Sequence, residues 1–140
     1  MFALLSSALL LTGCKEETPA STPTDTTTLY QTSEIKDGSG NVIETIVTVT
    51  DRGKGTGTMT WTSNKTYVLN GLVFVNANQT LSIEEGTVVK GKSGQGENAS
   101  ALVVARDGKI MAEGTATNPI IFTSEADQIR RKADGSGFEN

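Results

Sequence analysis

Apolar and polar positions divide the 140-residue chain into three textures. Phe2 to Leu11 is an apolar run broken only by Ser6 and Ser7. Thr18 to Thr28 holds six Thr with Ser21, Pro19 and Pro23, and almost nothing apolar. Such a stretch buries too little surface to offset its ordering entropy, which predicts a disordered spacer. From Asn41 the pattern changes again. Val42 to Thr50 alternates β-branched residues with a single charge at Glu44, which predicts a strand. Asp51-Arg-Gly-Lys-Gly-Thr-Gly57 breaks it, and Thr58 to Thr62 resumes with Trp61. The Trp is expected to plug the first layer of a core, the alternative being an exposed ring that stacks on a sugar.

The next stretch repeats itself. Gln79-Thr-Leu-Ser-Ile-Glu-Glu-Gly86 is echoed by Ser100-Ala-Leu-Val-Val-Ala-Arg-Asp107, and Thr87-Val-Val-Lys-Gly91 by Lys109-Ile-Met-Ala-Glu-Gly114. Leu81 and Ile83 then correspond to Leu102 and Val104, an offset of 21 residues. Each unit is a short strand, a Gly-bearing corner and a second short strand. A unit this small cannot bury a core alone, so units must stack. The expectation is an all-β right-handed parallel β-helix (solenoid) of about three turns. Leu81, Ile83, Val88, Leu102, Val104, Ile110 and Ile121 form its expected inward stack, with Gly86, Gly91, Gly108 and Gly114 at the bends. Lys92 to Asn98 reads as a polar loop inserted between turns.

The order of these segments carries a resemblance. Trp61, Tyr67-Val-Leu-Asn-Gly-Leu-Val-Phe-Val75, Leu81-Ser-Ile-Glu-Glu-Gly-Thr-Val-Val-Lys-Gly91, Ala101 to Thr115 and Pro119-Ile-Ile-Phe-Thr-Ser124 follow one another. This series resembles the opening turns of secreted or lipid-anchored right-handed β-helix proteins from Bacteroidetes. The resemblance spans about residues 51 to 125. Members continue with further turns, so it implies a chain truncated at its C-terminus. It implies architecture more firmly than activity.

The N-terminal run is too short to cross a ~30 Å hydrocarbon layer, which takes about 20 helical residues. Its length suits a signal-peptide core. Leu11-Thr12-Gly13-Cys14 follows at once and resembles the bacterial lipobox, which implies cleavage before Cys14 and lipidation of its thiol. Several acyl chains anchor durably, since each buried methylene contributes ~0.8 kcal/mol. The positively charged start expected of a signal peptide is missing. Lys15-Glu16-Glu17 resembles the short export signal that sends Bacteroidetes lipoproteins to the outer cell face; an ordinary charged tether is the alternative. Asp25-Thr26-Thr27 matches a short O-glycosylation pattern of the same phylum. Asn64, Asn78 and Asn98 each begin an Asn-X-(Ser/Thr) triplet and are expected to be turn residues. The expected layout is a signal peptide over 1–13, lipidated Cys and tether over 14–33, N-terminal strands over 34–62, helix turns over 63–125 and a polar loop over 126–140.

Composition narrows the chemistry. The chain lacks His, which removes Ser-His-Asp and Cys-His catalysis and the commonest zinc ligand. Its single Cys forbids an internal disulfide. Net charge is −4, and Arg130-Arg131-Lys132 is the only basic run, so nucleic acid is not an expected partner. Parallel β-helices often host polysaccharide lyases and glycosidases, which need clustered carboxylates with a base or an opposed acid pair. Glu84-Glu85 are adjacent, and Glu84 is expected near Arg106 one turn away, as a solvated ladder rather than a catalytic pair. No catalytic residue, metal or cofactor is expected. The expected function is a lipid-anchored outer-membrane protein, at the cell surface or facing the periplasm, displaying a scaffold for adhesion or glycan contact. The alternative is a piece of a carbohydrate-active enzyme whose site lies in further turns.

Overall fold

A computed structural model describes residues 28–140. The strands are β1 (Leu29–Lys36), β2 (Val42–Thr50), β3 (Met59–Trp61), β4 (Thr66–Leu69), β5 (Leu72–Val75), β6 (Thr80–Ile83), β7 (Val88–Gly91), β8 (Ala101–Val104), β9 (Lys109–Ala112), β10 (Ile121–Ser124), β11 (Arg130–Arg131) and β12 (Phe138–Glu139). Triplets of short strands recur along the chain, and each strand stacks on its counterpart in the next coil. β3, β6 and β9 form one sheet, β5 and β8 a second, and β2, β4, β7 and β10 a third. Pairing between coils is parallel throughout these sheets. This is a parallel β-helix.

Register gives the true coil length. Met59 lies beside Leu81 and Thr66 beside Val88, a step of 22 residues. Leu81 lies beside Ile110 and Leu72 beside Ala101, a step of 29. The seven additional residues are absorbed by the loop between β7 and β8, which holds a 3-10 turn at Gly96–Asn98. The 21-residue echo is therefore not the coil repeat. Leu81 and Ile83 sit in β6, whereas Leu102 and Val104 sit in β8 of a different sheet, stacked on Val73 and Val75. Two faces of similar composition look alike in sequence because both alternate small apolar residues toward one interior.

The core contains Val47, Val49, Trp61, Tyr67, Leu69, Val73, Val75, Leu81, Ile83 and Val89. Leu81 and Ile83 face inward as expected. Val88 is buried but neighbours the core residue Val89, so strand alternation turns it to the outer face, and Ile121 shares its row. Phe122, in register with Val89, takes the inward place expected of Ile121. Of the expected bends, Gly86 has a positive φ of 79°. At the corner after β8 that backbone conformation falls to Asp107 (φ 63°), stacked one coil below Asn78 (φ 63°) and joined to it by Asn78 N–H donating to Asp107 O at 3.0 Å. Gly108 is needed there for a different reason: a Cβ would run into the Val75 carbonyl oxygen.

The top of the helix is closed. β1 pairs antiparallel with β2 from Leu29↔Thr50 to Lys36↔Val42, so residues 29–33 are strand rather than tether. Their polar composition hides this, because they owe their order to the β2 ladder. The Asp51 carboxylate accepts from the N–H groups of Gly53 (2.7 Å), Gly55 (3.0 Å) and Phe74 (2.9 Å) and fastens the 51–57 loop against β5. Trp61 has no exposed surface and stacks on Tyr67, with centroids 4.6 Å apart and planes 10° apart. The Tyr30 hydroxyl donates to Thr56 O at 2.9 Å. Burial pushes the Tyr30 phenol up to about 12, partly offset by the Trp61 indole N–H, which itself lacks an acceptor in hydrogen-bonding geometry.

The bottom is open. Val104, Ile110 and Phe122 point along the inward columns yet are 40%, 37% and 54% exposed, because among the described residues no coil lies beneath them. Residues 126–140, expected as a polar loop, form a strap instead. The β11–β12 ladder closes it on itself, and Lys90 Nζ donates to Asp127 O at 2.8 Å to hold it on the outer face of β7. This cover accounts for burial of Val88 and Lys90 on a face that solvent would otherwise reach.

Candidate functional site

A groove of about 360 Å³ opens where three segments meet: residues 42–45 at the start of β2, the turn and first residue of β4 at 63–66, and strap residues 131–135. β2 supplies Glu44 because the β1–β2 ribbon runs past the body of the helix. The corner between β3 and β4 supplies Ser63 and Lys65. That corner is set by Thr62 N–H donating to the Tyr67 hydroxyl at 3.0 Å and by Ser63 N–H donating to Glu84 Oε2 at 2.9 Å. The strap supplies Arg131, Lys132 and Asp134.

Most of the charged groups in the groove are already engaged. Thr66 Oγ1 donates to Glu44 Oε1 at 2.6 Å. Arg131 donates to Gly135 O at 2.9 Å, to Asn118 Oδ1 at 3.3 Å and to Gly86 O at 3.5 Å, and its guanidinium lies 5.8 Å from the Phe138 ring centre. The backbone N–H of Ser136, and then its side chain, hold the Asp134 carboxyl below the usual carboxylate range. Nearby, the Ile129 N–H and the Thr123 hydroxyl do the same for Asp127. The groove therefore has a fixed polar frame, with hydroxyls and cations at its rim and apolar surface from Val42, Ile43 and Ala133.

The residues singled out in the sequence fall elsewhere. Cys14, the lipobox residues Leu11, Thr12 and Gly13, the segment Lys15-Glu16-Glu17 and the Asp25-Thr26-Thr27 triplet all lie outside the described residues. Trp61 is fully buried, which overturns the sugar-stacking alternative and leaves it a core residue. Glu84 and Arg106 are not brought together. Glu84 follows β6, so register places Glu113 beneath it, whereas Arg106 occupies the corner between β8 and β9. Asn64 and Asn78 lie in turns and Asn98 in the 3-10 turn. Among the described residues, no group of three or more His, Cys, Asp or Glu is placed to hold a metal ion. No helix among them is long and apolar enough to cross a membrane.

Sequence reasoning missed Lys65, Lys132 and Glu44. The groove joins segments up to about 90 residues apart in the chain, and its far wall is a strap that had no strand signature.

A stack of parallel three-strand coils with a groove on its side defines a class of protein, the parallel β-helices. A family model described as the pectate-lyase like beta helix domain matches residues 53–137, and the chain belongs to that family. No curated protein and no solved structure matches it.

Proposed function

We propose that this protein is a cell-envelope lipoprotein, anchored by a lipid on Cys14, that displays its β-helix for glycan contact or adhesion without catalysing a reaction. The observation that carries the reading is the side groove, walled by hydroxyl-bearing and charged residues on a fold of the pectate-lyase like family. The Leu11-Thr12-Gly13-Cys14 segment supports the anchor, and the Thr/Pro-rich stretch after it would hold the body clear of the membrane. Lys15-Glu16-Glu17 supports the outer face of a Bacteroidetes outer membrane. The winding is right-handed in this reading, since parallel crossovers take that hand in about 98% of cases.

A second reading, a carbohydrate-active enzyme whose reacting residues belong to further turns, is favoured by the family's pectate-lyase likeness. Glycan-array binding together with a depolymerisation assay separates the two. Binding without bond cleavage is the expected result, and release of unsaturated or reducing ends from any polysaccharide would replace the first reading with the second. Cys14→Ser should move the protein from the membrane to the soluble fraction, and unchanged membrane association would remove the anchor.

A further inference from the structure

We propose that Asn70-Gly71 is a site of spontaneous deamidation whose rate is set by the neighbouring coils, through Thr50 above it and Ser100 below it. The chemistry is independent of any glycan contact.

Asn70 is the only Asn of the chain that is followed by Gly. It is exposed, and with Gly71 it makes up the whole link between the end of β4 at Leu69 and the start of β5 at Leu72. A glycine has no Cβ, so its backbone nitrogen is the least obstructed for attack on the side-chain carbonyl of the residue before it. Gly71 owes its place to a φ of 88° rather than to crowding, because a Cβ there would meet nothing within 4 Å. Both reacting groups are tied to hydroxyls of different coils. Asn70 Nδ2 donates to Thr50 Oγ1 at 3.1 Å in the coil above, and the Gly71 N–H donates to Ser100 Oγ at 3.1 Å in the coil below. The flanking backbone is held as well: the Asn70 N–H donates to Val49 O at 2.9 Å, and the Ala101 N–H donates to Gly71 O at 3.3 Å.

Loss of the Gly71 amide proton to water or hydroxide lets its nitrogen attack Asn70 Cγ. An N–Cγ bond forms, the Cγ–Nδ2 bond breaks, and ammonia leaves after taking up a proton from water, giving a succinimide. Water then opens the ring at either carbonyl, to an aspartyl or an isoaspartyl residue, with no change of oxidation state. Either product adds one negative charge to a chain of net charge −4. The isoaspartyl product also runs the main chain through Cβ and Cγ, which lengthens a two-residue link by a methylene. The hydrogen bonds to Val49 and from Ala101 cannot then both keep their geometry, and the buried residues Leu69 and Val73 stand on either side. Ser100 ends the loop inserted between β7 and β8, so the seating of that loop decides whether the Gly71 N–H is held.

Peptide mapping by mass spectrometry, on the full chain aged at mildly alkaline pH in isotopically labelled water, would follow every Asn. Asn70 should convert before any other and take up the label. Ser100→Ala and Thr50→Val should each speed the conversion about fivefold, the rate equivalent of one hydrogen bond. Ser100→Thr keeps the hydroxyl and should stay at the parent rate, while the chain unfolded in denaturant should convert fastest. The isoaspartyl fraction, separated by ion exchange, should melt below both the parent protein and Asn70→Asp. An intact Asn70 while other Asn residues convert, or parent rates in both Ser100→Ala and Thr50→Val, would overturn the proposal. Conversion of Ser100→Thr as fast as Ser100→Ala would overturn it too, since general loosening rather than the lost hydroxyl would then set the rate.

Discussion

The two ends of the β-helix carry the same kind of side chain in the same columns and treat it differently. At the top, Trp61 and Val73 have no exposed surface and Tyr67 has 4%. At the bottom, Ile110, Val104 and Phe122 continue the inward columns of Leu81, Val75 and Val89, yet stand 37%, 40% and 54% exposed. An inward direction therefore does not bury a residue. The neighbouring coil or cap does, and the top has one in the β1–β2 ribbon and the Asp51-fastened loop. Each coil gains its apolar burial, at roughly 25 cal/mol per Å², only from what lies above and below it.

Trp61→Ala is the most demanding test of this contrast. It should cost about 3–5 kcal/mol, from a lost ring and the cavity beneath Tyr67, and chemical denaturation would measure it. Phe122→Ala, an equally aromatic truncation, should cost below about 1 kcal/mol because little of the ring is removed from water. Equal costs would mean that the open end is covered in solution. Next, Leu81→Ala should lose about 2–5 kcal/mol, and Ile110→Ala, its register partner one coil below, should lose less than half of that. A narrower difference belongs to the alkaline range. Tyr30 ionises near its ordinary value of 10.0 in the unfolded chain but only near about 12 when folded. Between those pH values the unfolded chain has released a proton that the folded one keeps, so stability should fall as pH rises through that window. Tyr30→Phe should flatten that limb of the curve and leave neutral pH little changed, apart from the lost hydrogen bond to Thr56. The smallest expected effect is at the open end. Val104→Ser with Phe122→Ser should change stability by about 0.5 kcal/mol or less while reducing concentration-dependent association, followed by light scattering.

Much of the architecture was legible because strand alternation is a local signal. Val42 to Thr50, the inward Leu81 and Ile83, and the polar insertion at residues 92–98 all follow from residue type and period alone. What failed was non-local. The 21-residue echo compared β6 with β8, because inward faces of different sheets are built from the same small set of residues. Val88 reads as inward because β7 opens on two valines and is buried on both faces, and the outer face owes its burial to a strap some 40 residues later. β1 was half lost to its Thr- and Ser-rich surroundings. The groove was illegible for the same cause: Lys65 and Lys132 look like ordinary surface lysines until the strap folds back beside the β3–β4 corner.

The loop between β7 and β8 has one more consequence. It lengthens a coil from 22 residues to 29, while the sheets at its two ends, β4–β7 before it and β5–β8 after it, each keep an unbroken four-residue parallel register. Wall and insert are thus separate variables, and the wall does not register how long the insert is. For a flexible loop each doubling of length costs only about 0.6 kcal/mol of closure entropy. Segment 92–100 is accordingly a port at which foreign peptide could be grafted onto this chain with its sheets unaltered.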